Sequence, residues 1–469
     1  MRIRALVLLF AAVSAHAQGP VPRQPAPPPG PQLAPPLFKD LAWRSIGPAS
    51  VSGRIEDIAV GRAPGQPDQI YVAGASGGVF KSTNGGTSWT PVFDHVNALM
   101  SVGDVAVAPS NVNIVWVGTG EANNPTPYWG DGVYKSTDAG KTWKFMGLKE
   151  SRHVGRIVIH PTNPDIVFVA AQGHMWGSNP ERGVFRTTDG GTTWKKVLGV
   201  DDNTGATDIV MDPRNPQVVY AATYQRQKKL WGQRGTGPGS GIWRTTDGGE
   251  HWTRLTKGLP SGEYGRIGLD LFPGEPKLIY ATIEVSAAGA GRGGNAGGAD
   301  SVGGRGGRGG NAGRGGGGGI PGCGDNAGAG RGGGGAGAPT MNGPGGLFRS
   351  TDGGDTWEKM TAMIASPAGY YQQIRLDPKD RNRIYMLGSN RGFWISDDAG
   401  RTFKDVFSNV HSEDHALWVD PDDPNHLMVA GDGGLSISWD RGVTWDFRNN
   451  IPLAQFYEID VDNRDPYTV

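Results

Sequence analysis

One eight-residue pattern recurs seven times along the chain, and no other feature restricts the fold as strongly. The copies are 82–89 (STNGGTSW), 136–143 (STDAGKTW), 187–194 (TTDGGTTW), 245–252 (TTDGGEHW), 350–357 (STDGGDTW), 396–403 (SDDAGRTF) and 438–445 (SWDRGVTW). Each reads as the tip of a hairpin. A short apolar strand leads in, an Asp (Asn84 in the first copy) accepts from turn amides, Gly supplies a positive φ, and the closing aromatic opens the next strand. Units that cannot bury a face alone must stack on their neighbours.

Two more strands precede every copy. The first ends at an Asp-Pro or similar stop (57–60, 104–109, 156–161, 208–213, 266–270, 373–378, 416–421), and the second follows an Asn/Asp/Pro turn (70–73, 114–118, 166–170, 218–222, 278–282, 383–387, 426–430). Four short antiparallel strands at spacings of roughly 42 to 58 residues predict an all-β propeller of four-stranded antiparallel blades. Segment 42–47 (AWRSIG) matches a fourth strand, and 456–461 reads as the first strand of an eighth blade. The count therefore predicts seven complete repeats plus a partial eighth, an incomplete ring drawn from eight or more blades or from two linked rings.

The rest of the chain divides by composition. Residues 1–17 read as a signal peptide, with Arg2 and Arg4, an apolar stretch 5–13, and Ala15-His16-Ala17 before the cleavage point. Residues 18–37 form a Pro-rich linker, and 38–469 the propeller. The Gly-rich segment 286–346 falls between the second and third strands of blade five, where it is expected as a disordered loop and not as a domain boundary. A secreted or periplasmic protein without a membrane span is expected. Forty-five basic residues balance forty-five acidic ones, so there is no electrostatic case for nucleic acid. Cys323 is the one cysteine, which excludes a disulfide framework and a Cys-based metal site, and no cofactor is expected.

The repeated pattern resembles the Asp box, or BNR repeat, of sialidases, xyloglucanase-type glycoside hydrolases, sortilin-type receptors and a photosystem assembly factor. In those families the box lies away from the ligand face. The resemblance thus implies a structural role for Asp138, Asp189, Asp247, Asp352, Asp398 and Asp440. The patterns WRSIGP at 43–48 and GTGEANN at 118–124 resemble large bacterial secreted proteins described as sortilin N-terminal-like or as glycosyl hydrolases.

Chemistry is then expected on the opposite rim, where second-to-third-strand loops and blade junctions meet. Those segments carry Arg54, Glu121, Asn123, His153, Arg156, His174, Trp176, Tyr224, Arg226, Arg266, Tyr371, His415 and Asp432 as candidate ligand-binding residues. Glycoside hydrolysis needs two carboxyl groups flanking one bond, and Glu121, Asp208, Glu284 and Asp432 are the candidates. The resemblance is imperfect here. Xyloglucanase-type enzymes carry a catalytic Asp in a Thr-Asp-x-Gly-Gly stretch of blade one, and the matching 73–78 is AGASGG. Arg54, Arg156 and Arg266 recur at one blade position, yet the Arg-Ile-Pro signature of sialidases is absent. His411, Asp414 and His415 make a weak metal set without helical spacing, so no metal is assigned. The reading favoured by the sequence is a sortilin-like propeller binding a peptide or glycan, and the alternative is a glycoside hydrolase.

Overall fold

The computed structural model describes residues 53–96, 98–123, 128–230, 232–286, 344–363, 373–388, 393–406, 411, 413–454 and 464. Their regular structure is seven four-stranded antiparallel sheets, each in simple sequence order, with no α-helix among the described residues. The inner strands are Ile55–Gly61, Val102–Ala108, Val154–Ile159, Thr204–Met211, Tyr264–Leu271, Ile374–Leu376 and Asp414–Val419. Second strands are the most uniformly apolar, as in Gln69–Gly74 and Val167–Ala171, because both of their faces are covered by neighbouring blades. Blade 4 adds a hairpin that the repeat pattern did not reveal, Gln227–Lys229 paired with Gly232–Arg234, rising between its second and third strands.

Each repeated turn folds in the same way. In blade 3 the Thr187 hydroxyl donates to Asp189 Oδ1 at 2.8 Å and accepts from Gly191 N at 2.9 Å. The same Oδ1 accepts from Thr193 N at 2.9 Å, while Oδ2 takes the Thr193 hydroxyl at 2.6 Å. With three donors on one carboxylate, Asp189 is drawn down to about 2, the Thr193 hydroxyl being the largest cause. Asp138, Asp247, Asp352, Asp398 and Asp440 repeat the arrangement. The residue after the Asp is left-handed in every copy, including the non-glycines Ala139, Ala399 and Arg441 with φ near 60°.

The turn tip also joins the blades. Its carbonyl accepts from a side chain of the preceding blade: Lys81 to Ala139 O (2.9 Å), Lys135 to Gly190 O (3.2 Å), Arg186 to Gly248 O, and Arg244 to Gly353 O (2.7 Å). Tyr280 reaches Ala399 O (3.2 Å) and Arg383 reaches Arg441 O (3.0 Å). The seventh junction is Asn450 to Gly86 O at 3.0 Å, from blade 7 back to blade 1. Ile55, Ile58, Val72 and Phe80 share one core with Met428, Ala430, Ile437 and Leu453 across that junction. Blades 1 and 7 thus pack against each other, and the seven described blades form a propeller ring. Each blade carries its own fourth strand, Asp446–Arg448 in blade 7, so none has to be borrowed. Segments 42–47 and 456–461, and the Gly-rich 287–343, lie outside the described residues. The strands on either side of that last segment pair directly, Ile279↔Ser350 to Ile283↔Gly346.

Candidate functional site

The inner strands are irregular at one level, and this irregularity builds the site. An extra residue bulges out of blades 1, 2, 3, 4 and 7 at Glu56, Gly103, Gly155, Thr207 and His415, with a similar slip at Gly265–Arg266 in blade 5. Such bulges re-aim side chains. In blades 2 and 3 the bulge has to be Gly. A Cβ on Gly103 would sit 2.2 Å from Val154 O, and one on Gly155 would sit 2.6 Å from Thr207 O. In blades 1 and 7 the bulge points Glu56 and His415 at the axis, where Glu56, Asn123, Arg156, Arg266, Gln373 and His415 line a cavity of about 20 Å3. That volume holds a single water.

Two charged layers fill the axis. In the deeper one Arg156 lies 3.0 Å from Asp104, 3.3 Å from Asp208 and 3.6 Å from Asp57. These carboxylates also tie blades together. Asp57 accepts from Val105 N, Asp104 from Ile157 N, Asp208 from Leu269 N and Asp270 from Leu376 N, each reaching the next inner strand at 2.7–3.2 Å. Asp208, a candidate for catalysis, is thus occupied by blade-to-blade bonding.

The upper layer is a circuit of side chains from blades 1, 2, 5 and 7. Arg54 Nε donates to Glu56 Oε1 at 3.0 Å and lies 3.3 Å from Asp432 Oδ1. Asn123 donates to Glu56 Oε2 and to His415 Nδ1 (3.2 Å), and its Oδ1 accepts from Arg266 at 2.6 Å. Because His415 Nδ1 accepts, Nε2 carries the proton and donates to Asp432 Oδ1 at 2.7 Å. Glu121 closes the layer from below. Its Oε1 accepts from Tyr128 N at 2.8 Å, and Oε2 lies 3.1 Å from Arg54 NH2 without the alignment of a hydrogen bond.

Environment pushes these two carboxyl groups apart. Glu121 has no exposed surface; burial, reinforced by the neighbouring Glu56 and only partly opposed by Arg54, raises it to about 8. Burial also acts to raise Asp432, but the hydrogen bond from His415, with the charge of Arg54, outweighs it and holds Asp432 well below the usual carboxylate range. At neutral pH Glu121 is a protonated acid and Asp432 an ionised carboxylate, both beside Arg54, an arrangement suited to general acid–base work.

The structure thus brings together Arg54, Glu121, Asn123, Arg266, His415 and Asp432, and places Arg156 and Asp208 one layer down. His153 backs the site: its Nδ1 bonds Glu121 O at 3.0 Å, and burial drives it down to about 3, so it stays neutral. Arg226 and Tyr224 are buried beside it, Arg226 donating to Gln172 Oε1 at 3.1 Å. Glu284 is half-buried, and burial raises its carboxyl. His174 and Trp176 stand outside on blade 3, His174 pairing with Glu150 at 3.2 Å and Trp176 lying under Lys228. Tyr371 lies outside the described residues. His411, Asp414 and His415 do not converge on a metal position: His415 spends both nitrogens in the circuit, His411 packs against Gly433, and no metal-holding cluster occurs among the described residues.

Glu56 was missing from the candidates, although its place two residues after Arg54 in the inner strand signals it. So were Tyr128 and Trp129, which are 49% and 63% exposed, as Trp176 is at 50%. Glu121 fixes that aromatic segment through Tyr128 N and through its own amide, which donates to Tyr128 O. At the blade-one stretch without an acid, Gly77 is covered by Leu453; a Cβ there would lie 2.0 Å from Leu453 Cδ1.

A xyloglucanase of Hypocrea jecorina is 24% identical over 89% of this chain and 51% of that protein. One from a Paenibacillus sp is 26% identical over 47% and 22%. A vacuolar protein sorting/targeting protein 10 of Aspergillus fumigatus is 37% identical over 23% and 8%. The chain thus spans about half, or less, of the length of the curated relatives it matches. Among solved structures, the GH74 xyloglucanase from Xanthomonas campestris superposes with a TM-score of 0.57 at 16% identity, covering 87% of this chain and 56% of that one. The GH74 enzyme of Niastella koreensis gives 0.55 at 17%, over 86% and 56%. The family model described as "Sortilin, neurotensin receptor 3" matches residues 131–281 and 345–458, more than half of the sequence. The chain belongs to the Sortilin-Vps10 family.

Proposed function

We propose that this propeller acts on a glycan as a glycoside hydrolase, with Glu121 as general acid and Asp432 as the ionised partner. The observation that carries the reading is the split between those two carboxyl groups across one guanidinium, on a rim that exposes Tyr128, Trp129 and Trp176. Flat aromatic faces suit sugar rings, and two carboxyl groups of opposite protonation suit a glycosidic bond. Asp432 and Arg54 are the partly exposed members, and Glu121 lies directly beneath Arg54. Because Glu121 has no exposed surface, its proton would reach a glycosidic oxygen beside Arg54 by way of one water, while Asp432 activates water or attacks the sugar carbon. The xyloglucanase relatives add weight to a polysaccharide substrate.

A second reading, binding of a peptide or glycan without turnover, is favoured by the complete burial of Glu121 and by membership of the Sortilin-Vps10 family. In either case the ligand belongs on the rim, since the described side chains fill the axis. We also read the repeated turn as an Asp box, residues 1–17 as a signal peptide for export, 18–37 as a linker and 38–469 as the propeller with a blade-five insert. No helix among the described residues is long and apolar enough to cross a membrane. The test is reducing-end release from a panel of polysaccharides. Release by the wild type that falls by about 100-fold or more in Glu121→Gln and in Asp432→Asn supports hydrolysis. Saturable binding with no release from any polymer supports the second reading.

A further inference from the structure

We propose that the rim of blades 3 to 5 holds a subsite for a carboxylate on the glycan, built on Arg226, so that the preferred polysaccharide carries uronic acid units. This rests on the glycan reading above and names the class of glycan. Arg226 is 3% exposed, and its NH1 is spent on Gln172 Oε1. Its Nε and NH2 find no acceptor among the described residues. Those two nitrogens form one edge of the guanidinium, the fork that takes both oxygens of a carboxylate in parallel.

The other buried guanidinium groups make the contrast plain. Arg156 has three carboxylates, and Arg182 donates to the carbonyls of His174, Gly177, Asn203 and Arg226. Arg226 has no ion pair among the described residues, and the groups acting on its charge are the cations Arg266 and Arg182 together with Tyr224 and Glu121. Burial, the largest influence, draws it down to about 10, so it still carries its charge at neutral pH. A buried, unpaired charge is costly to keep, and an incoming carboxylate would relieve that cost. Gln172 cannot swing away to serve the free edge, because its own amide donates to Ala122 O at 2.8 Å. Arg226 also sits between strand Val219–Gln225 and the extra hairpin, whose Lys228 bridges to the half-exposed Trp176. An aromatic face for a sugar ring and a fork for its carboxylate therefore arise within one short segment.

The experiment is calorimetric titration of the full chain with an oligogalacturonate and with a neutral xyloglucan oligosaccharide of equal length. The wild type should bind the acidic oligomer about tenfold or more tighter than the neutral one, a charge-assisted bidentate contact being the difference. Arg226→Gln should bring the ratio close to one. Arg226→Lys, which keeps the charge without the fork, should recover only part of it, and it decides the matter if Arg226→Gln does not fold. A ratio near one in the wild type, or a preference retained in Arg226→Gln, overturns the subsite and leaves the glycan reading standing. If neither sugar binds while poly-glutamate does so through Arg226, the uronate assignment and the glycan reading both fall.

Discussion

At the scale of single residues the fold repeats one turn and tolerates its departures. Six hydroxyl–carboxyl pairs and the Ser82–Asn84 pair differ in sequence yet make the same bond, because a Ser or Thr two positions before an Asp or Asn is all the geometry requires. The residue after the Asp is less forgiving. It is left-handed, which costs an L-residue roughly 1–2 kcal/mol relative to Gly, against the roughly 0.5–1 kcal/mol of extra chain entropy that Gly loses on folding. Ala139, with φ 59°, is the clearest exception. Ala139→Gly should therefore stabilise the protein by about 0.5–1 kcal/mol, read as a higher denaturant midpoint at unchanged slope. An unchanged or lowered midpoint would show that the turn has absorbed the strain.

At the scale of the element, blades are joined by their turns and by some of their indoles. Trp143 Nε1 donates to Val92 O and Trp194 Nε1 to Met146 O, each at 2.7 Å and each to the preceding blade. Trp252 occupies the same repeat position, but its Nε1 is buried without a partner among the described residues. Trp194→Phe should accordingly cost about 1 kcal/mol more than Trp252→Phe in equilibrium unfolding, the worth of one hydrogen bond. Equal costs would mean that the indoles act by volume alone. The turns were legible in the sequence because every bond within them spans four residues or fewer, so composition and spacing carry the information. Ring closure was not. It depends on Asn450 meeting Gly86, 364 residues away, and nothing local marks either residue as a closing partner.

At the scale of the whole molecule, the site exists only because the ring closes. Asn123 ties Glu56, Arg266 and His415 across 67, 143 and 292 residues of sequence. The sequence could nominate Glu121, Asn123 and Asp432 as polar loop residues on one rim. It could not show that bulges in two inner strands aim Glu56 and His415 at one point, or that Glu121 lies buried beneath Arg54. Those facts set the chemistry. Glu121, raised to about 8, should be protonated at neutral pH and lose its proton, and with it its acid function, as pH rises through that value. Because the folded state binds that proton more tightly than the unfolded chain, stability should fall as pH rises from the ordinary glutamate range to about 8 and level off above it. Asp432, held below the usual range, should stay ionised across it. The most direct test is the pH dependence of reducing-end release from a polysaccharide that the protein cleaves. The expected profile is flat through neutrality, with an alkaline limb near pH 8 that disappears together with the activity in Glu121→Gln. An alkaline limb that persists in Glu121→Gln, or a rate indifferent to that substitution, would contradict the assignment of Glu121 as the acid.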